Sequence, residues 1–490
     1  MVKSSGGKRE SDGVVVPLIA VSNAAGGKDP DFGHAGHRGT SKGMPGTAPD
    51  SYPEGPHQAP ADVRRLQNRL WAAAKQSSSR RFHALYDRIY RPDVLEEAWE
   101  RVRANRGAAG VDSLTIAAVE AYGPAQMLAE LGESLRAGSY RPAPVRRVEI
   151  PKPDGRMRPL GIPTVKDRVA QQATKIVLEP IFEADFLPCS FGFRPKRSAT
   201  EAMERCRVGF IEGKCFVFEA DIVDFFGSID HERLLAMVEE RVSDRRVVKL
   251  LRLWLRAGVL DHGVLAETVS GTPQGGVISP LLANIYLHHF DRAWAEHGVG
   301  ELIRYADDFV VLCRSEAEAH KAERLAAELL AELGLRLHPE KTHVVDLRGG
   351  KEGFDFLGCH FHARMSGRQW QDRRVIRYYL HRWPSVRSMK RARARIKALT
   401  DRSQVGQQLD AVIGRLNRFL RGWSNYFRTG NAATKFVSLD DYVVWRLKRL
   451  LIKQRGRNLR AGQVDRWTRA WFHDQGLYQL MGTIRYPKAA

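Results

Sequence analysis

Residues Leu302 to Cys313 read LIRYADDFVVLC. Most of them are apolar or β-branched, the composition of a buried strand. Yet Asp307 and Asp308 stand side by side in the middle, and a buried carboxylate without a counter-charge is costly. Successive strand residues also point to opposite faces, so one continuous strand would send the two carboxylates apart. The conflict disappears if Ala306 to Asp308 form a tight turn between two strands, IRY and FVVLC. Both carboxylates then stand at the tip of a hairpin whose flanks are buried. The turn contains no glycine, so it should carry some backbone strain, which is more often found at functional sites.

Two adjacent carboxylates repel each other unless a cation joins them. Oxygen-only ligands point to a hard cation, Mg²⁺ by default with Mn²⁺ as the alternative. A third carboxylate is available in FEADIVDFF, where Asp221 closes an apolar strand. Three carboxylates at strand ends would hold two metals ~3.5–4 Å apart, one activating an attacking hydroxyl and one steadying a leaving pyrophosphate. A lone Asp-Asp pair in a loop is more often a solvated turn or a helix cap. The apolar flanks and Asp221 set this pair apart.

The whole chain is strongly basic. Its 490 residues hold 78 Lys and Arg against 56 Asp and Glu, a net charge of +22. Such an excess suits a polyanion, because each phosphate contacted releases condensed counterions. Nucleic acid is favoured over a membrane, since no basic amphipathic anchor and no bilayer-length apolar run stands out. The five cysteines form no CxxC pair, which leaves neither a zinc ribbon nor a disulfide framework. With no secretory apolar core at the start, the expected location is the cytoplasm.

Residues 1–60 are rich in Gly, Pro, Ser and His and are expected to be disordered or loosely attached. Helical periodicity begins near Asp62, with Val63, Leu66 and Leu70 on one face. Further helices run to about Ala137. VRRVEIPKPDGRMRPLGIP reads as two strands around a basic turn at Asp154-Gly155. A helix over Val165–Phe186, a strand at CFVFEADI, and helices over 231–242 and 244–257 follow. Beyond the central hairpin come a helix over 316–334 and short strands at His343–Val345 and Phe354–His360. After about Val375 the chain reads as helical and very basic, with aromatics such as Trp383, Trp445 and Trp467 interleaved.

At this point the ordered motifs resemble those of group II intron-encoded reverse transcriptases. Tyr305 to Asp308, YADD, is similar to the family's YxDD box. NRGAAGVD at 105–112, PKPDGRMRPLGIP at 151–163, FGFRP at 191–195, ADIVDFFGSIDH at 220–231 and GTPQGGVISPLLANIYL at 271–287 resemble further blocks in the family's order. So do LRLHPEKT at 335–342, FDFLG at 354–358 and the maturase (X) signature GWSNYF at 422–427. The likeness runs from about 62 to 470.

The resemblance implies an α+β fold, a right-hand polymerase. Fingers and a ferredoxin-like palm over 61–370 would be followed by a helical thumb or maturase (X) domain over 371–445 and a basic DNA-binding-like tail over 446–490. It implies Asp221, Asp307 and Asp308 as metal ligands, joined by the Ile222 carbonyl. Phe226 would be the gate against a ribose 2′-hydroxyl, with Phe225 as a competitor. Lys152 and Arg158 would hold the incoming triphosphate. Gln274 would contact the dNTP, while Gly275 and Gly276 let backbone approach the base pair. Lys341 is open between a proton donor to pyrophosphate and a solvated lysine. Arg391, Arg393, Arg395, Trp423, Tyr426, Lys448 and Arg449 would contact RNA. The implied partners are group II intron RNA, target DNA and dNTPs, with no membrane.

Two departures stand out: Gly227 where many relatives have Asp, and no Cys beyond Cys359, from which no C-terminal HNH endonuclease is expected. Two other roles remain open at this level, an RNA-binding maturase with an idle polymerase site and a reverse transcriptase of antiviral defence or CRISPR adaptation. The intact carboxylates weigh against the first, and GWSNYF with its basic tail weighs against the second.

Overall fold

The computed structural model describes residues 51–53, 59–151, 157–261, 264–266, 275–366 and 376–486. Contacts divide the chain into two compact units. One comprises Met1–Leu187, Phe193–Lys196 and Asp224–His289; the other comprises Pro188–Gly192, Arg197–Val223 and Phe290–Ala490.

The first unit is built on helices α1 (Ala61–Gln76), α2 (Tyr86–Ile89), α3 (Pro92–Ala104), α4 (Ile116–Tyr122), α5 (Pro124–Arg136) and α6 (Val165–Glu183). Val63, Leu66 and Leu70 of α1 are buried, as their spacing requires, and α1 and α3 both pack on α6. Looseness up to residue 60 does not hold at Tyr52. Its ring is buried, and its hydroxyl donates to Glu179 of α6 at 2.8 Å. Strands β1 (Val145–Pro151) and β2 (Met157–Ile162) form the expected antiparallel hairpin, whose turn residues lie outside those described.

The first unit continues with α8 (Phe225–Ser228), α9 (His231–Glu239), α10 (Arg245–Leu255) and the start of α11 (Ser279–His297). Two short strands, β4 (Val259–Asp261) and β5 (Val264–Ala266), escape the sequence pattern because each has only three residues; they extend the sheet to the order β2-β1-β4-β5. The buried Asp167 carboxylate fixes this region. It accepts from Tyr140 Oη at 2.6 Å, Thr164 Oγ1 at 2.7 Å and Ala143 N at 3.2 Å. The block at 105–112 finds a physical role here, since a Cβ on Gly110 would lie 2.7 Å from the Thr164 backbone at the start of α6.

In the second unit, β3 (Phe216–Asp221), β6 (Glu301–Tyr305), β7 (Asp308–Cys313) and β8 (His343–Asp346) form an antiparallel sheet of order β6-β7-β3-β8. Helices α7 (Ala199–Ile211) and α12 (Glu316–Glu332) pack against it. A second sheet joins β9 (Gly353–Phe356), β10 (Cys359–Met365) and β11 (Tyr378–Pro384) in the order β11-β10-β9.

Two expectations change here. Phe354–His360 is not one strand but a hairpin, reversed at Leu357 and Gly358, both with positive φ (50° and 74°), as two-residue hairpin turns favour. The chain after Val375 does not become helical at once, because the aromatic alternation of β11 completes a sheet first. Helices α13 (Val386–Leu399), α14 (Leu409–Phe427), α15 (Ala433–Arg455), α16 (Gln463–Arg466) and α17 (Arg469–Asp474) follow. The expected division at 445/446 falls inside α15.

The sheets and these helices share one apolar core. Val217, Ile303 and Val310 belong to the same buried cluster as Phe361, Leu416 and Phe436. At the edge of that core Arg304 is wholly buried. Its Nε donates to Asp291 Oδ1 at 2.7 Å, its Nη1 to the Ala306 carbonyl at 2.9 Å and its Nη2 to Ser190 Oγ at 2.9 Å. Breaking a buried pair strands the other charge. Asp291→Ala is therefore expected to cost about 3–5 kcal/mol, measured by urea unfolding. A loss under 1 kcal/mol would mean that the guanidinium finds another partner.

Candidate active site

The central hairpin is tighter than the sequence suggests. Ala306 and Asp307 form the turn, and Asp308 already belongs to β7, paired with Tyr305 of β6. The expected strain falls on Ala306, at φ 58°. Arg304 fastens this turn from below through the Ala306 carbonyl. Gly192 closes it from the other side. A Cβ there would collide with the Ala306 backbone nitrogen and lie 3.0 Å from the Tyr305 carbonyl carbon. Phe191 N donates to the Arg304 carbonyl at 2.8 Å, which holds the FGF segment against the hairpin.

Register brings the third carboxylate in. Asp221 ends β3 directly opposite Asp308. The chain leaves β3 along the segment that contains Lys341: His338 N donates to the Asp221 carbonyl at 2.8 Å, and Val223 N to the Arg336 carbonyl at 2.9 Å. These bonds leave the Ile222 carbonyl out of their ladder. Lys341, in a short 3₁₀ turn, extends Nζ to Asp221 Oδ2 in an ion pair.

Glu219 belongs to the same group and was not singled out from the sequence. It lies two residues before Asp221, on the same strand face, and 3.2 Å from His343 Nε2. The signal was present in FEAD, two carboxylates at i and i+2 in an otherwise apolar strand. Burial pushes the Glu219 carboxyl up to about 7, helped by the charges of Asp355 and Asp221 and opposed by a hydrogen bond from the Asp355 backbone. Burial likewise holds Asp308 well above the usual carboxylate range. The charges of Asp307, Asp221 and Glu219 push the same way, and only Lys341 opposes them.

This donor set fits a hard divalent cation. It offers oxygen alone and accumulates negative charge that one ammonium does not relieve. Among the described residues no three His, Cys, Asp or Glu side chains already converge as a metal cage, and Lys341 occupies one Asp221 oxygen.

The other residues predicted for the polymerase site lie in the first unit or outside the description. Phe225 is a core residue, edge-on to Tyr286 with ring centroids 6.5 Å apart, whereas Phe226 is partly exposed and packs on Phe225 at 5.2 Å. The competitor for the gate is therefore committed to packing. Gly227 has its own reason: a side chain there would meet the Asp224 carboxylate. Gly275, at φ 117°, leaves room for the Gly161 carbonyl, 2.5 Å from where its Cβ would stand. Gly276 lines a small cavity with Asp167 and Trp254. Lys152 and Gln274 lie outside the described residues, as does the side chain of Arg158.

Of the predicted RNA contacts, two also take part in packing. Trp423 is partly buried against Phe427 and Phe436, with ring centroids 4.8 and 5.4 Å away. The Tyr426 hydroxyl donates to the Leu357 carbonyl at 2.9 Å. GWSNYF thus fastens α14 to the core and to the β9–β10 turn. Arg393 donates to Ser438 Oγ at 2.9 Å between α13 and α15. Arg391, Arg395 and Arg449 are exposed and Lys448 is partly so. The Arg449 guanidinium lies 4.8 Å from the ring centre of the exposed Trp445.

Residues 150–361 match the model of the reverse transcriptase (RNA-dependent DNA polymerase) family, and residues 389–471 that of the group II intron maturase-specific domain. Protein YkfC of Escherichia coli K12 is 34% identical over 338 residues, which cover 60% of this chain and 87% of YkfC. The group II intron-encoded protein LtrA of Lactococcus lactis is 40% identical over 212 residues, 43% of this chain but only 35% of LtrA. Nuclear intron maturase 4 of Arabidopsis thaliana is 29% identical over 210 residues, 41% of this chain and 24% of that protein. The reverse transcriptase match makes the chain an RNA-directed DNA polymerase, a nucleotidyltransferase. The chain belongs to the group II intron-encoded reverse transcriptase and maturase family.

Gly192→Ala tests how the turn is held. Displacing a reacting group by about 1 Å costs roughly 100-fold in rate, so primer extension should fall by about that factor. The added methyl should cost about 1–3 kcal/mol of stability. Single-turnover extension and urea unfolding read the two effects. Wild-type activity in this variant would uncouple the FGF segment from the turn.

Proposed function

We propose that the chain copies RNA into DNA from a primer and binds a group II intron RNA. In that way it assists the intron's splicing and its retrohoming into target DNA. The observation that carries the polymerase reading is the register of Asp221 against Asp308, with Asp307 on the adjoining turn, inside the matched reverse transcriptase segment.

In this reading Asp221, Asp307 and Asp308, with the Ile222 carbonyl, hold two divalent cations, Mg²⁺ or Mn²⁺. When bound, these supply activation of the primer 3′-hydroxyl and neutralisation of charge on the leaving pyrophosphate. Lys341 holds the Asp221 carboxylate in place through their ion pair, and its ammonium is a proton source for the pyrophosphate once released from that carboxylate. Phe226 excludes a ribose 2′-hydroxyl. Lys152 and Arg158 hold the triphosphate, and Gln274 and Gly275 support the nascent pair.

The right-hand division belongs to the same proposal: fingers and palm over 61–370, thumb from 371, and a basic tail whose first turns share α15 with the thumb. Arg391, Arg395, Lys448 and Arg449 are the phosphate contacts, with Trp445 beside them as a stacking surface. Binding of the folded intron by this surface would stabilise it by mass action. No helix among the described residues is long and apolar enough to cross a membrane, and the proposed setting is the bacterial cytoplasm.

The deciding experiment is primer extension on an RNA template with dNTPs and Mg²⁺, wild type against the double variant Asp307→Asn, Asp308→Asn. The variant should lose about 100-fold or more while retaining RNA affinity. No product from either protein, with RNA still bound tightly, would replace this reading by that of a maturase with an idle site. Phe226→Val should reduce discrimination against ribonucleotides by about 10- to 100-fold, read from competing dNTP and rNTP incorporation. Unchanged selectivity would place the gate elsewhere.

A further inference from the structure

Strand β6 is the edge of its sheet, and on its free side only Arg304 is met by another segment. Arg304 turns its backbone to that side: its N donates to the Cys189 carbonyl and its carbonyl accepts from Phe191 N, both at 2.8 Å. In an antiparallel pair such directions alternate along the strand, so Leu302 also points its N–H and C=O away from β7. No described residue meets them, although Leu302 is buried. The next residue in phase, Gly300, is engaged, its N donating to Glu318 Oε1 at 3.0 Å. One donor and one acceptor are left side by side on the edge, and buried backbone groups without partners are rare.

Leu302 lines a cleft of about 650 Å³ between α7 and α11, wholly within the second unit. Small-molecule sites occupy roughly 300–1,000 Å³. Val208 of α7, Trp294 and Ala295 of α11, Pro188 and Phe191 give the cleft apolar walls. Trp294 is 3% exposed, and its indole Nε1 has no hydrogen-bond partner among the described residues. A second buried donor that needs a partner thus belongs to the same cleft. Charge sets the place apart from the rest of this basic chain. Glu201, Glu204, Asp291 and Glu301 line it against Arg197 and Arg205 alone.

We propose that this cleft binds a small planar heteroaromatic molecule, uncharged or weakly basic, with an amino donor next to a ring-nitrogen acceptor, the edge of an aminopurine or aminopyrimidine base. The amino group donates to the Leu302 carbonyl, the ring nitrogen accepts from the Leu302 N–H, and an acceptor elsewhere on the molecule takes the Trp294 indole N–H. An added peptide strand needs a row of outward backbone groups, and a single residue offers them here. A phosphate-bearing ligand would meet an excess of carboxylates. The cleft lies at the Glu301 end of β6, whereas the catalytic turn follows Tyr305 at the other end. The site therefore requires nothing of the polymerase reading.

The probe is 2-aminopurine, which fluoresces and carries this edge. It is titrated with the full chain and followed by fluorescence anisotropy. Saturable binding is expected, displaced by adenine and displaced about 10-fold less effectively by unsubstituted purine, which lacks the amino donor. Ala295→Trp, at an exposed position of α11, fills the cleft and should weaken binding by about 10-fold or more. Val208→Trp fills it from α7 and replaces that variant if circular dichroism shows it unfolded. Trp294→Phe removes the indole donor and should weaken binding about 5-fold without lowering the melting temperature. The double variant Asp307→Asn, Asp308→Asn should bind the probe as wild type does. No saturable binding, equal displacement by adenine and purine, or wild-type affinity with the cleft filled would overturn the proposal. Loss of binding in the Asp307, Asp308 variant would overturn it too, by assigning the base to the polymerase site.

Discussion

The Arg304 guanidinium is the constraint on which the catalytic region depends. A fully buried cation is tolerable only when its donors are all met, and here they are met by residues from three separate stretches: Asp291, Ser190 and the Ala306 carbonyl. Each of those bonds fixes something else. Asp291 positions α11, Ser190 positions the segment leading to Gly192, and Ala306 is the strained residue of the turn. The cost of holding Ala306 at positive φ is offset by an interaction underneath it, not by anything in the turn itself.

Above that anchor the chemistry is one of accumulated charge. Burial and the charges of Asp307, Asp221 and Glu219 raise the proton affinity of Asp308, burial and the charges of Asp355 and Asp221 raise that of Glu219, and at Asp308 Lys341 opposes the rise. Such a cluster is unstable as an isolated arrangement and becomes favourable when cations enter. The same logic explains why Lys341 sits where it does. An ammonium is a monovalent counter-charge that incoming divalent ions can displace.

Much of this was legible in the sequence. The Asp-Asp pair inside an apolar run forced a turn, and the third carboxylate at the end of CFVFEADI suggested its partner. What could not be read was what the side chains do once the strands meet. Arg304 carries no signal of its role in the sequence, because its partners Asp291 and Ser190 are distant in it. Glu219 was hidden for a similar reason, its significance lying in β8 and β9 as much as in its own strand. Trp423 and Tyr426 were expected to contact RNA, and what the sequence did not show is that both also pack, one toward Phe436 and the other toward Leu357. Strand β11 was lost against the strongly basic helices that follow it, since Arg and Tyr suit both states.

The shared core of the second unit has a consequence for how this chain can change over time. The strands bearing the carboxylates and the helices matched to the maturase domain bury one another's apolar residues, with Val310 and Leu312 in the same cluster as Leu447 and Phe472. Neither half can be discarded without exposing the other. A lineage that kept only RNA chaperoning would still have to keep the polymerase sheet as scaffolding, and one that kept only DNA synthesis would still carry the maturase helices. Loss of an activity in such a protein would be written in a few polar side chains, while the architecture around them stayed intact.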